Sequence, residues 1–181
     1  RILEIFGINK RILLFFIQEN LVKIDETFIS YIQSSPFFAY EHYVEYFQPE
    51  IKSYIETNQT NRKKFYEMLY NKVSVELPEN FYENRLKGEN ENFICNLIRN
   101  DFIEEFVQYV NKTNLYLESK IKSSIYETNQ FLLYNDPSLI EYAAFYGSIQ
   151  IYQYLRLNNV KLESNLWLYA IHGKNAEIIH F

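Results

Sequence analysis

Three histidines, His42, His172 and His180, are the first side chains that could bind a metal or move a proton. His172 and His180 lie eight apart, a spacing that can share one helix face, but Gly173 between them breaks the helix that would align them. No cysteine or second carboxylate is spaced to complete a zinc set, so no metal is expected. Cys95 sits among Phe93, Ile94 and Leu97 at helical spacing. No histidine or basic residue lies near it in sequence to lower its pKa, which favours a buried structural thiol over a nucleophile. Acids cluster at Glu76, Glu79 and Glu83 and at Glu104 and Glu105. Paired carboxylates can do acid–base work when burial raises one of them, yet these flank helix starts, where negative charge is favoured by the backbone dipole. Arg62, Lys63 and Lys64 precede Phe65 and Tyr66, a pattern that could grip single-stranded nucleic acid. One short run on an acidic chain fits a solvated helix start better. The four glycines form no phosphate-cradling loop, and no serine sits in a strand-to-helix elbow. No catalytic, cofactor-binding or metal-binding residue is therefore assigned, and the chain is not expected to be an enzyme or to take a small-molecule substrate.

The elements that would position such residues follow from composition. The chain has 181 residues, enough for one domain or two small ones, with 18 basic and 23 acidic side chains and a formal charge of -5. That balance argues against general nucleic-acid binding, which needs excess Lys and Arg to displace counterions. Gly and Pro number 4 each, while Tyr and Phe number 17 and 15. So few breakers between long Ile-, Leu-, Phe- and Tyr-rich segments predict helices. A single cysteine cannot form an internal disulfide, which suits a reducing, cytoplasmic setting. Lys10 and Arg11 interrupt the apolar N-terminal region and no small-residue cleavage site follows, so no signal peptide is expected. The run Ile12 to Ile17 is too short to span a bilayer, and no membrane partner is expected. The chain begins without Met and stops in a helical run, and is expected to be a piece of a longer protein.

Residues 1–88 predict a small helical region. Leu13, Phe16 and Ile17 form one face, and Phe28, Ile29 and Ile32 the next. Ser35 should cap a helix opened by Pro36 and carrying Phe37, Tyr40, Val44 and Phe47; Pro49 should open another with Ile51 and Ile55. A helix with Phe65, Met68 and Leu69 follows, then a turn from Pro78 through Phe81 that Gly88 stops. The polar stretch Gly88–Asn92 is the expected boundary.

Beyond it the chain repeats itself. Phe106 to Ser119 matches Ile151 to Ser164 at an offset of 45 (151 minus 106), with Gln, Tyr, Asn, Leu, Glu and Ser recurring at matched places. Leu139, Tyr142 and Ala143 match Leu166, Tyr169 and Ala170 at an offset of 27 (170 minus 143). Each copy predicts a helical hairpin. Gly147 and Gly173 should end first helices in the left-handed conformation. Ser148 and Asn175 should cap second helices, as should Asp101 with Glu104 in a capping box. Ala143, Ala144 and Ala170 allow close approach. Tyr142, Tyr152, Tyr154 and Tyr169 fall on core or groove faces.

The segment Ser138-Leu139-Ile140-Glu141-Tyr142-Ala143-Ala144-Phe145-Tyr146-Gly147 resembles the ankyrin repeat, keeping its Leu/Ala/Ala/Gly frame but lacking Thr-Pro and His. The offsets of 27 and 45 also depart from the usual period of about 33. More narrowly, the chain is similar to divergent ankyrin-repeat proteins expanded in trichomonad protists. The strings that carry the likeness include Leu97-Ile98-Arg99-Asn100-Asp101, Ser123-Ser124-Ile125-Tyr126-Glu127-Thr128-Asn129 and Leu166-Trp167-Leu168-Tyr169-Ala170-Ile171-His172-Gly173. The resemblance implies an all-α fold: an ankyrin-like solenoid over residues 89–181, cut off at its C-terminus, preceded by a helical region of unknown function over 1–88. It implies a protein–protein interaction scaffold whose partner contacts lie between repeats, at Lys120, Lys122, Tyr126, Lys161 and Asn165. An alternative is a substrate-recognition adaptor of a larger enzyme complex such as a ubiquitin ligase. Lys120 to Tyr134 should be an extended finger or loop, after which Pro137 restarts a helix capped by Asp136.

Overall fold

A computed structural model describes residues 9–34, 40–58 and 64–180. Residues 1–8 of the apolar N-terminal region, the Ser35 cap with Pro36 and Phe37, and Arg62–Lys63 of the basic run lie outside the described residues. The described chain is all α, with thirteen helices and no strand. The segments 106–111 and 151–157 are both helical. The chain divides into two compact units: one made of residues 1–89 with 124–130, the other of 90–123 with 131–181.

The first unit holds α1 (Lys10–Gln18), α2 (Glu26–Ser34), α3 (Tyr40–Tyr46), α4 (Gln48–Thr57), α5 (Lys64–Val73) and α6 (Phe81–Lys87). Short polar side chains start the first two. Asn9 accepts the amides of Arg11 and Ile12, and Asp25 accepts that of Phe28. Pro49 lies in the first turn of α4, where its missing N–H costs nothing. Gly88 ends α6 at φ 68°, in the left-handed region. Leu13, Phe28, Ile29, Ile32, Val44, Phe47 and Ile51 bury their stripes together. Two cations are buried with them. Lys10 lies 5.1 Å and Arg85 5.3 Å from the centre of the Tyr46 ring, whose negative face suits positive charge. Arg85 is also paired with both oxygens of Glu50, which offsets the cost of taking its charge out of water.

Residues 124–130 complete this unit. Lys10 Nζ donates to the Ile125 carbonyl, Thr128 N and Oγ1 both donate to the Gly88 carbonyl, and the Tyr126 ring stands edge-on to Phe81 at 5.8 Å. The expected finger of 120–134 is thus partly a strap on the first unit, and it ends in a helix.

The second unit holds α7 (Phe93–Arg99), α8 (Ile103–Thr113), α9 (Gln130–Asn135, from Phe131), α10 (Leu139–Tyr146), α11 (Ile149–Leu157), α12 (Leu166–Gly173) and α13 (Ala176–His180). Three pairs pack as α7 on α8, α10 on α11 and α12 on α13; α10 also packs on both α7 and α12, and α11 on α8. Cys95, Leu97, Phe106, Ala143, Ala144 and Ile151 lie in one core. His172 stacks on Phe131 and Phe145 at 4.7 and 5.3 Å.

Several local expectations change. Gly147 ends α10 at φ 70° as predicted, but Gly173 is helical, and Lys174 takes the left-handed place at φ 51°. A Cβ on Gly173 would meet the Ala144 carbonyl oxygen at 2.3 Å, so this glycine serves close helix approach. Asp101 does not cap α8, which Phe102 precedes without a side-chain cap. Its carboxylate accepts the amides of Gln150 and Ile151, at 3.0 Å each, and so caps α11 of the next hairpin. Ser148 makes no cap either, and its hydroxyl donates to the Ile98 carbonyl. Asn175 does cap α13, accepting from Glu177 and Ile178. The cap of α10 is Ser138 and not Asp136: Ser138 and Glu141 form a reciprocal capping box, while Pro137 accepts the Ile121 amide.

Candidate partner-binding cleft

Helices α8 and α11 end alike. Asn114 and Asn159, 45 apart (159 minus 114), take positive φ of 49° and 59°, a conformation that asparagine tolerates better than most residues. The next amide then returns to the fifth residue back, Leu115 to Val110 and Val160 to Leu155. Each turn leads into a short tip with the same internal tie. Tyr116 donates its hydroxyl to Glu118, and at the matched places Lys161 pairs with Glu163 at 2.7 Å. The tips are joined to each other, because Glu118 Oε1 accepts the Lys161 amide at 3.3 Å.

The opposite wall comes from the start of α10. Ile121 donates to the Pro137 carbonyl at 2.7 Å and Leu139 to the Ser119 carbonyl at 3.2 Å, pairing Lys120 with Ser138 in an isolated antiparallel bridge. Glu141 Oε2 accepts from both the Ser138 amide and its hydroxyl. Between these walls lies a cleft of about 600 Å³ lined by Glu118, Lys120, Glu141, Lys161 and Asn165, among others. A second hollow of about 590 Å³, lined by Asn114, Tyr116 and Tyr154, shares Glu118 and Val160 with it.

Three of the five residues singled out from sequence, Lys120, Lys161 and Asn165, therefore line one cleft. Lys122 is exposed outside it and uses its carbonyl to accept from Asn90 Nδ2 at 2.8 Å. Tyr126 is corrected: it is 3% exposed, inside the first unit, and so offers no contact surface. Glu118, Ser138 and Glu141 were missed. The Ser-x-x-Glu spacing of Ser138 and Glu141 and the match of Glu118 to Glu163 in the repeat were the signals that could have found them.

Two charges of this cleft, on Glu118 and Lys161, are held in their ordinary forms. The Tyr116 hydroxyl, then the Lys161 amide, hold the Glu118 carboxyl below the usual range. Hydrogen bonding and charge from Glu163 raise the Lys161 ammonium. A carboxyl poised for proton transfer is shifted up and a lysine down; these two are shifted the other way. The cleft thus offers fixed charges and hydrogen-bonding groups of both signs. Among the described residues no group of three or more His, Cys, Asp or Glu side chains could hold a metal, and no helix is long and apolar enough to cross a membrane. Comparison of the chain with protein-family models, with curated proteins and with solved structures found no significant match.

Proposed function

We propose that this chain is a protein–protein interaction scaffold, its second unit an ankyrin-like solenoid of helical hairpins and its cleft at the hairpin tips a partner-contact surface. The observation that carries the reading is the packing order: α10 lies against both α7 and α12, while α11 lies against α8. A hairpin of this size cannot bury its apolar face alone, and stacking neighbours solve that problem while leaving successive tips side by side. The tie between Glu118 and the Lys161 amide is a contact of that kind. Mixed, ordinarily charged side chains in an open cleft suit recognition of a polar polypeptide surface. A cytoplasmic setting belongs to the same proposal, with the buried Cys95 in no disulfide.

The test is affinity capture with the full chain, comparing the unaltered protein with a Lys120→Glu, Lys161→Glu variant and a Lys23→Glu control in the first unit. Loss of a captured protein only with the double variant is the expected result. Identical capture by all three would remove the cleft from the proposal.

A further inference from the structure

Glu141 is only 5% exposed, yet it lines the tip cleft. Its Oε2 accepts twice from Ser138, from the amide at 2.7 Å and from the hydroxyl at 2.9 Å. Both donors are neutral. Oε1 has no donor, and among the described residues no lysine or arginine pairs with this carboxylate. A carboxylate taken out of water ordinarily gains a cation or a full set of hydrogen bonds, because its burial is otherwise costly. A second buried group feels this charge. The Tyr169 hydroxyl is enclosed without a hydrogen-bond partner, and its phenol is raised by burial first and then by the charges of Glu141 and Asp136. Further open acceptors line the cleft. Glu163 gives Oε1 to Lys161 and keeps Oε2. Asn135 donates Nδ2 to the Phe131 carbonyl, which leaves its Oδ1, and the Asn165 side chain makes no hydrogen bond. Of the two lysines that line the cleft, Lys161 is paired with Glu163, whereas Lys120 Nζ has neither an ion pair nor a hydrogen bond.

We infer that the cleft seats an arginine of a partner polypeptide on Glu141, with an acidic residue of the same segment on Lys120. A guanidinium carries five N–H donors in a planar fork, which suits several acceptors around one carboxylate. Lysine brings three donors from a single point, and a neutral side chain would leave Glu141 buried without a cation. The two Ser138 donors already hold the carboxylate, so little freedom is lost when the guanidinium arrives. Lys120 would repel an arginine arriving alone, and the acidic neighbour answers that charge. The inference rests on the reading of this cleft as a partner surface and adds the chemistry of what enters it.

The probe is the peptide acetyl-Gly-Arg-Glu-Gly-amide, titrated into the full chain labelled with nitrogen-15. The Ser138 amide, which donates to Glu141, and the side-chain amide of Asn165 should shift and saturate. Citrulline in place of the probe's arginine keeps the shape without the charge and should abolish both shifts. Glutamine in place of its glutamate should weaken binding severalfold, and Lys120→Met should erase that difference between the two peptides. Glu141→Gln should weaken binding at least tenfold while the helix start survives, since glutamine also serves at the third position of a capping box. The citrulline comparison decides the matter even where a variant fails to fold. Equal shifts with citrulline, or shifts that Glu141→Gln leaves unchanged, overturn the inference. Cleft signals unmoved by the probe, with the captured protein still lost on Lys120→Glu, Lys161→Glu, overturn it and leave the partner-surface reading standing. Cleft signals unmoved and capture unchanged overturn both.

Discussion

At Gly173 two residue-scale effects oppose each other. In a helix interior alanine is favoured over glycine by roughly 0.5–1 kcal/mol, through the smaller entropy it loses. Against this, the added Cβ would fall 2.3 Å from the Ala144 carbonyl oxygen and 3.1 Å from that of Phe145, both main-chain atoms that cannot swing aside. Overpacking of this kind costs about 1–3 kcal/mol, so the clash wins. Gly173→Ala should lower the thermal midpoint, and a midpoint at or above that of the parent would show that the hairpins separate without cost. Gly147→Ala is the comparison. Its Cβ meets only ordinary contacts, the nearest at 3.4 Å, so its penalty is the left-handed φ alone, about 1–2 kcal/mol. The sequence marked both glycines but gave them one role, because a breaker at the end of a helix does not disclose whether its backbone angle or its missing side chain is being used. Tyr126 shows a related limit. Nothing in a polar, aromatic-bearing segment says whether its ring faces water or, as here, Phe81.

The helices themselves were legible: the apolar stripes of α8 and α11 follow a 3.6-residue period and are buried, while α10 is apolar and buried nearly all round. Caps were legible only where donor and acceptor are close in sequence. Ser138 with Glu141 and Asn175 with Glu177 and Ile178 satisfy each other within three residues. Asp101 and Ser148 reach partners fifty residues away, Ile151 and Ile98, and sequence spacing sent both to the nearest helix. Asp101 is one of the side chains that tie one hairpin to the next, and it does so at a helix start where its negative charge is also favoured. Asp101→Ala should cost about 1–2 kcal/mol for the lost cap, and more for an alanine held at positive φ. Asp101→Gly removes the cap and relieves the angle, so it should fall between the parent and the alanine variant. Amide exchange at Gln150 and Ile151 should quicken in both. Protection unchanged at those two amides would show that α11 holds its start without help from the preceding hairpin.

At the scale of the whole molecule, both cores depend on un-ionised tyrosine. Burial pushes Tyr46 of the first unit and Tyr169 of the second from 10.0 to about 12, and pushes Tyr142 up further. A folded-state pKa above the unfolded value means that the fold favours the neutral phenol. Its contribution is complete below pH 10 and is lost as pH rises toward 12 and beyond. Tyrosinate absorbance from these three rings should therefore appear only in a late stage that coincides with loss of helical signal. Full ionisation near pH 10 with the helices intact would contradict the burial of these three phenols. The division into two units was less legible than the helices. A polar stretch at 88–92 marks where the chain leaves the first unit, but no composition change marks its return at 124–130, where the ties are a lysine to one carbonyl and a threonine to another.

That return has a genetic consequence. The polypeptide crosses between its two units at three points, after Glu89, after Ser123 and after Gln130, so no single cut in the coding sequence separates them intact. A deletion that removes everything past the first crossing also strips Lys10 and Gly88 of the groups they hold. The first unit can be inherited only together with the stretch that loops back to it, and the second only with the residues on both sides of that stretch.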